Sequence, residues 1–194
     1  GCGILDIGGE ATNPGSEEVK IKTEWKRIFP TLNKIKKLKK FISLDTRKSE
    51  IMKKGIINKI NLVNDISGLE HDINTIKVLK ESNIPFVIHH MQGNPKTMQK
   101  NPRYNNVVLD IYDFFEKKIK YLRLKGIKHN NIILDPGIGF GKNLKHNITL
   151  LRNISIFHSL GFPVMVGTSR KRFINALSGE NDSKERLGGT ITSS

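Results

Sequence analysis

Short apolar runs ending in a polar residue recur along the chain, each followed by a stretch with helical spacing. Leu5 to Glu10 opens the series as an apolar–Asp–apolar run broken by Gly8-Gly9, and the loop Ala11 to Ser16 follows. Trp25, Ile28, Phe29, Leu32, Ile35 and Leu38 then fall on one helix face. Pro30 lies inside that pattern and predicts a kink or a restart, because its ring removes a helix hydrogen bond. Phe41 to Thr46 reads as the second strand and residues 48–59 as a short helix. Asn61 to Ser67 is the third strand, although Asn64-Asp65 falls where core is expected. Asp72 is placed to cap a helix running to about Ser82.

Pro85 to Met91 is the fourth strand, leading into a long loop, Gln92 to Asn106, of the kind that is usually functional. Val108, Ile111, Phe115, Ile119 and Leu122 mark an amphipathic helix stopped by Gly126. Ile132 to Leu134 form the fifth apolar run, and His146 to Leu160 the next helix, ended by Gly161. Pro163 to Ser169 is the sixth strand; Arg170-Lys171-Arg172 begin another helix, and Glu185 to Ser194 read as helical.

Alternating strands and helices predict a parallel sheet in a single α/β domain over residues 1–194. An open doubly wound sheet gathers its site at one crevice, usually with glycines after the first strand. A (β/α)8 barrel brings every strand end to one mouth. Here Asp6, Asp45, Asn64, His90, Asp135 and Ser169 with Lys171 close the runs, and the glycines follow the fifth. The barrel is the expectation. Six of its eight strands are visible, so the chain reads as an internal fragment without the first and last; a complete six-stranded open sheet is the alternative.

The fifth run holds the densest chemistry. Asp135-Pro136-Gly137 throws a carboxylate out at the strand end; Gly137, Gly139 and Gly141 let the backbone approach a ligand; Phe140 adds a ring and Lys142 a cation. Such a set suits a flat, polar, partly anionic molecule. A buried strand with a glycine turn explains this stretch alone equally well, and the other strand ends decide between the two.

Composition narrows the classes. Hydrophobic residues at 37% and charged residues at 26% fit a soluble domain. No apolar run approaches the roughly 20 residues of a membrane span. The start, GCGILDIGG, has no basic segment ahead of an apolar one and does not read as a signal peptide. Cys2 is the sole cysteine, which excludes an internal disulfide or a Cys-based zinc site and suits the cytoplasm. The net charge of +15 invites a nucleic-acid reading. The lysines, however, are spread over several helix faces with few aromatics between them, so a solvated surface is expected and no nucleic acid.

Taken together, DIGGEATNPGS (Asp6–Ser16), SLDT (Ser43–Thr46), VNDISG (Val63–Gly68), HMQGNPKTMQ (His90–Gln99), LDPGIGFGKN (Leu134–Asn143), GTSRKRFI (Gly167–Ile174) and ERLGGT (Glu185–Thr190) resemble the dihydropteroate synthase family. They occur in the family's order and cover nearly the whole chain. The resemblance implies a pterin-binding barrel of folate biosynthesis, a sulfonamide target. It would join 4-aminobenzoate to 6-hydroxymethyl-7,8-dihydropterin diphosphate, releasing diphosphate. The nearest rival is a methyltetrahydrofolate-binding methyltransferase barrel, which would not need Lys171 or the HMQGNPKTMQ loop.

The resemblance also implies roles. Asp135 would accept two parallel N–H groups of the pterin. Asn64 would read a mixed donor and acceptor edge. Asp45 would be the second carboxylate, near developing positive charge. Ile66, Met91, Gly139 and Phe140 would line the ring, and Lys171 would donate to it. With Asp45 and Asp135, Lys171 is an expected catalytic residue. Thr12, Pro14, Phe140, Lys171 and Arg172 would hold 4-aminobenzoate, with Ser169 nearby. Thr12 and Asn13 would meet the diphosphate, although Asn13 stands where many relatives carry an arginine. Asp6 is expected to brace the mouth, His89 and His90 to be strand-end hydrogen bonders, and Glu185 with Arg186 to pair. Mg2+ would travel with the diphosphate; its asparagine ligand in the family belongs to the missing first strand, so no metal residue is assigned. A homodimer is expected at full length, and the chain alone is expected to be inactive.

Overall fold

The computed structural model describes residues 3–13, 15–93, 97–98 and 101–168. Five strands form one sheet: β1 (Ile4–Gly8), β2 (Phe41–Asp45), β3 (Leu62–Asp65), β4 (Phe86–His89) and β5 (Ile132–Asp135). They lie in sequence order, and every neighbouring pair is parallel. A doubly wound sheet reverses its order at a switch point. No reversal occurs among these strands, and the sheet grows as a barrel wall does.

Between the strands run α1 (Ile21–Ile35), α2 (Ser49–Ile57), α3 (Thr75–Ser82), α4 (Val107–Leu124) and, after β5, α5 (Leu144–Arg152). One face of the sheet packs against them. Leu44, Val63, Phe86, Ile88, Ile132 and Leu134 share an apolar cluster with Ile28 and Leu32 of α1, Ile51 and Met52 of α2, and Ile111 and Phe115 of α4. Side chains alternate across a strand, so the residues between them point the other way, into the barrel.

The helices depart from the expected pattern in three places. α1 runs through Pro30 without a restart. Pro30 and Lys26, whose carbonyl loses its helix donor, both lie on the exposed side, where water can replace the missing bond. Asp72 does not cap its own helix. Its Oδ2 accepts from the Ser49 N–H at 2.9 Å, capping α2 instead, and its Oδ1 accepts from Asn74 N–H at 2.9 Å. The helix expected over His146 to Leu160 is α5 followed by a 3-10 segment, Ile154–Leu160, ended by Gly161 with φ 82°.

α4 starts on Asn106, whose side chain accepts from Val108 N–H at 3.1 Å and Leu109 N–H at 3.3 Å. α5 starts on a capping box in which Asn143 and His146 serve each other's backbone N–H. The expected sixth strand lies beside β5 and joins it by a single parallel bridge, Leu134 to Val164. Two backbone bonds hold it, Leu134 N–H to Pro163 at 2.9 Å and Met165 N–H to Leu134 at 2.8 Å. The helices expected at Arg170 to Arg172 and at Glu185 to Ser194 lie outside the described residues.

Candidate active site at the strand ends

Register places Gly8, Asp45, Asn64, Val87 and Ile133 side by side in one row across the inner face. His89 and Asp135 pair one step nearer the strand ends. Of the strand-end residues expected from sequence, Asp6, Asp45, Asn64 and Asp135 reach this common surface; at β4 it is His89 that does so, while the expected His90 is one residue out of step and meets Lys142. Asp65 points to the helix side, fully buried. Its Oδ1 accepts from Ser67 N–H at 2.8 Å and Ser67 Oγ–H at 2.6 Å, and Oδ2 has no partner among the described residues. Burial pushes its carboxyl up to about 6 against those bonds. The Asn64-Asp65 pair thus divides: Asn64 belongs to the inner row, and Asp65 to the turn that follows β3.

Asn64 is buried. Its Nδ2 donates to Asp6 Oδ2 at 3.2 Å, while its Oδ1 has no partner among the described residues. Asp6 thus braces Asn64 and fixes which way its amide faces. Asp45 lies beside it. Burial first, and then the charges of Asp6, Asp65, Glu24 and Glu10, push its carboxyl up to about 8. A carboxyl raised to that range holds its proton at neutral pH and can donate as well as accept.

Asp135 is buried, with Oδ1 accepting from Gly137 N–H at 2.8 Å and Oδ2 4.0 Å from His89 Nε2. Gly137 sits at φ 71°, and a Cβ on it would lie 1.9 Å from the His90 carbonyl oxygen. Only glycine lets this turn pass under β4 and aim the carboxylate. Phe140 stands edge-on to the His89 ring with centroids 4.5 Å apart, and Gly139 N–H is held by Asn147 Oδ1 at 2.8 Å. The ring expected to wall a ligand thus stands against His89, whose imidazole in turn faces Asp135.

Lys142 does not offer its charge to a ligand as its position suggested. It is buried, and its Nζ donates to the Phe140 carbonyl at 2.8 Å, to His90 Nδ1 at 3.1 Å and to the His90 carbonyl at 3.4 Å. Burial, then Lys142 and His89, hold the His90 imidazole down at about 2. A neutral ring accepting at Nδ1 carries its hydrogen on Nε2. The pair staples the glycine loop to the end of β4. Tyr104 Oη–H adds a bond to the Gly141 carbonyl at 2.8 Å.

Of the other expected residues, Ile66 is buried just past β3, Met91 is half-buried just past β4, Thr12 is half-buried and Asn13 is exposed. Pro14, Ser169, Lys171, Arg172, Glu185 and Arg186 lie outside the described residues.

The model of the family described as "Pterin binding enzyme" matches residues 1–194. The chain belongs to the pterin-binding enzymes. It is 39% identical over 191 residues to the dihydropteroate synthase of Synechocystis, covering 98% of this chain and 66% of that protein. To the Escherichia coli dihydropteroate synthase it is 38% identical over 192 residues, covering 98% and 67%. It superposes with TM-score 0.95 and 34% identity on the Yersinia pestis dihydropteroate synthase solved with a sulfonamide drug, covering all of this chain and 70% of that one. The Xanthomonas albilineans dihydropteroate synthase solved with 4-aminobenzoic acid gives TM-score 0.93 at 31% identity, covering 100% and 68%. This pterin-binding chain spans about two thirds of the length of the curated relatives it matches. Its five parallel strands are those of an incomplete (β/α)8 barrel.

Sequence reading passed over a second cluster, Glu10, Glu24, Thr46, Arg47 and Lys48. Glu24 sits in a helix that reads as a solvated face, yet it is fully buried. Two signals were available: Glu10 directly follows the Gly8-Gly9 break, and two cations follow Thr46 just past the β2 end.

Proposed function

We propose that this chain carries the pterin-binding wall of a dihydropteroate synthase, which joins 4-aminobenzoate to 6-hydroxymethyl-7,8-dihydropterin diphosphate. The observation that carries the reading is the convergence of Asp45, Asn64 and Asp135 on one inner surface, in a chain so close to proteins of that name.

A pterin laid across this surface finds complementary groups. Asp135 accepts from adjacent ring N–H donors, a charge-assisted pairing that also fixes the ring's direction. The unpartnered Asn64 Oδ1 takes a further donor. Asp45, whose carboxyl is pushed up to about 8, donates to a ring acceptor, and approaching positive charge favours its ionisation. The amine nitrogen of 4-aminobenzoate attacks the pterin methylene carbon. A C–N bond forms, the C–O bond to diphosphate breaks, its electron pair leaves with the diphosphate, and the ammonium proton passes to solvent. The resemblance assigns the aminobenzoate ring to Phe140 with Thr12, Pro14 and Arg172, and contact with both ligands to Lys171. Thr12 and Asn13 face the diphosphate.

Among the described residues no three His, Cys, Asp or Glu side chains converge on a cation site. The Mg2+ implied by the resemblance accompanies the diphosphate, and no step here is assigned to it. On the resemblance alone the full-length protein is a cytoplasmic homodimer. No helix among the described residues is long and apolar enough to cross a membrane.

The test uses the full-length parent. Both substrates together should yield 7,8-dihydropteroate, and a sulfonamide should compete with 4-aminobenzoate. Absence of product, or inhibition that rising aminobenzoate does not relieve, would overturn the reading.

A further inference from the structure

The loop after β1 leaves the sheet at Gly9 and runs to the start of α1 at Ile21, and one carboxylate closes its neck. Glu10 Oε2 accepts from the Val19 N–H at 2.7 Å, across nine residues of chain. The same carboxylate is held from the loop after β2: Arg47 Nε donates to Oε1 at 2.7 Å and Lys48 Nζ to Oε2 at 2.5 Å. Lys48 is buried and also donates to Glu24 Oε2 at 2.7 Å, and Glu24 Oε1 accepts from Thr46 Oγ–H at 2.6 Å. Arg27 adds a bond to the Gly9 carbonyl at 2.9 Å. At the rim, Glu18 lies 3.9 Å from Arg47 and 3.3 Å from His71 Nε2.

Two consequences follow. The Glu10–Val19 bond closes the base of the loop that carries Thr12 and Asn13, so the reach of these residues is set by where the Glu10 carboxylate is fixed. That carboxylate is fixed by Arg47 and Lys48, which lie two and three residues past Asp45 at the end of β2. Burial disfavours the Glu10 anion, but the bonds from Lys48, Val19 and Arg47 outweigh it and keep the carboxyl below its ordinary range. The clamp is thus charged at neutral pH, and paired buried charges hold one geometry far better than a neutral contact does.

We propose that Glu10 is a positioning residue: its carboxylate clamps the neck of that loop to the Arg47-Lys48 turn and so sets Thr12 and Asn13 against the inner row. The proposal rests on the dihydropteroate synthase reading for what Thr12 and Asn13 then meet. Glu10 touches no substrate and acts through the loop alone.

The experiment compares full-length wild type with Glu10→Gln, which keeps the shape and removes the charge. Three quantities are read: the KM for 4-aminobenzoate, the Kd for a pterin lacking diphosphate, and hydrogen exchange at the amides of residues 11–19. The expected result is a KM at least tenfold higher, a pterin Kd unchanged within twofold, and faster exchange confined to the loop and Val19. Glu10→Asp, which keeps the charge but shortens the reach, gives the same split and serves if the Gln variant does not fold. Unchanged loop exchange overturns the clamp. Faster exchange with unchanged KM overturns the positioning role, and equal losses for both ligands reduce Glu10 to a structural part. A wild type that forms no pteroate refutes the functional reading instead, and the exchange measurement still decides the clamp.

Discussion

On the helix side of the sheet, Leu44, Val63, Phe86, Ile88, Ile132 and Leu134 lie in one dry apolar cluster. On the inner side the same strands carry Asp6, Asp45, Asn64, His89 and Asp135. One residue of shift along a strand separates the two sets. Among the described residues the outer layer leaves Asp65 Oδ2 and Thr75 Oγ1 without a partner, and its apolar side chains need no ligand to explain them. The inner face bears costs it does not recover by itself: an amide oxygen without a partner at Asn64 and a carboxyl pushed up to about 8 at Asp45. Buried polar groups left in this condition cost free energy. A ligand with matching donors and acceptors removes the cost, which is why the inner face reads as a site and the outer one as a scaffold.

Breaking the scaffold should give the largest effect. Phe86 is fully buried in the outer cluster, and Phe86→Ala is expected to cost roughly 3–5 kcal/mol of stability. Urea denaturation of the full-length protein measures this, and the fraction that stays folded should bind pterin as wild type does. Phe140→Ala probes the site edge. It should weaken 4-aminobenzoate and sulfonamide roughly tenfold or more, about 1.4 kcal/mol or above, with far less effect on pterin; equal losses would show that the two subsites are misplaced. The last effect is a pH dependence, reduced by solvent screening because Asp45 is only half-buried. A folded Asp45 titrating at about 8, against about 3.9 unfolded, binds a proton that the unfolded chain does not hold between those values. Its contribution to stability is therefore present below pH 4 and is lost as pH rises through 8. Thermal unfolding from pH 5 to 9 should show Asp45→Asn gaining on wild type as pH rises, and a parallel pair of curves would remove the raised value.

Much of this contrast was legible in the sequence. Asp45, Asn64 and Asp135 each close an apolar run, and alternation along a strand is local. What hid from the sequence depends on contacts between distant residues. Lys142 reads as a free cation until the glycine loop folds it onto His90. Asp72 sits where it would cap α3, yet it serves Ser49 across the fold. Glu24 carries a charge on a solvated-looking helix and is buried because Lys48 and Thr46 reach it. The break after α5 escaped for a different reason, since α and 3-10 turns have nearly the same apolar spacing over one or two turns.

The central claim is that the inner face binds a pterin through Asp135. Calorimetric titration of a pterin into full-length Asp135→Asn, alongside a thermal melt, tests it most directly. An amide offers one acceptor where the carboxylate offers two and sets an N–H against a ring donor. The expected loss is about 1.5–3 kcal/mol for each charge-assisted bond removed, with the melting temperature near that of wild type. Unchanged pterin affinity at unchanged melting temperature would contradict the account.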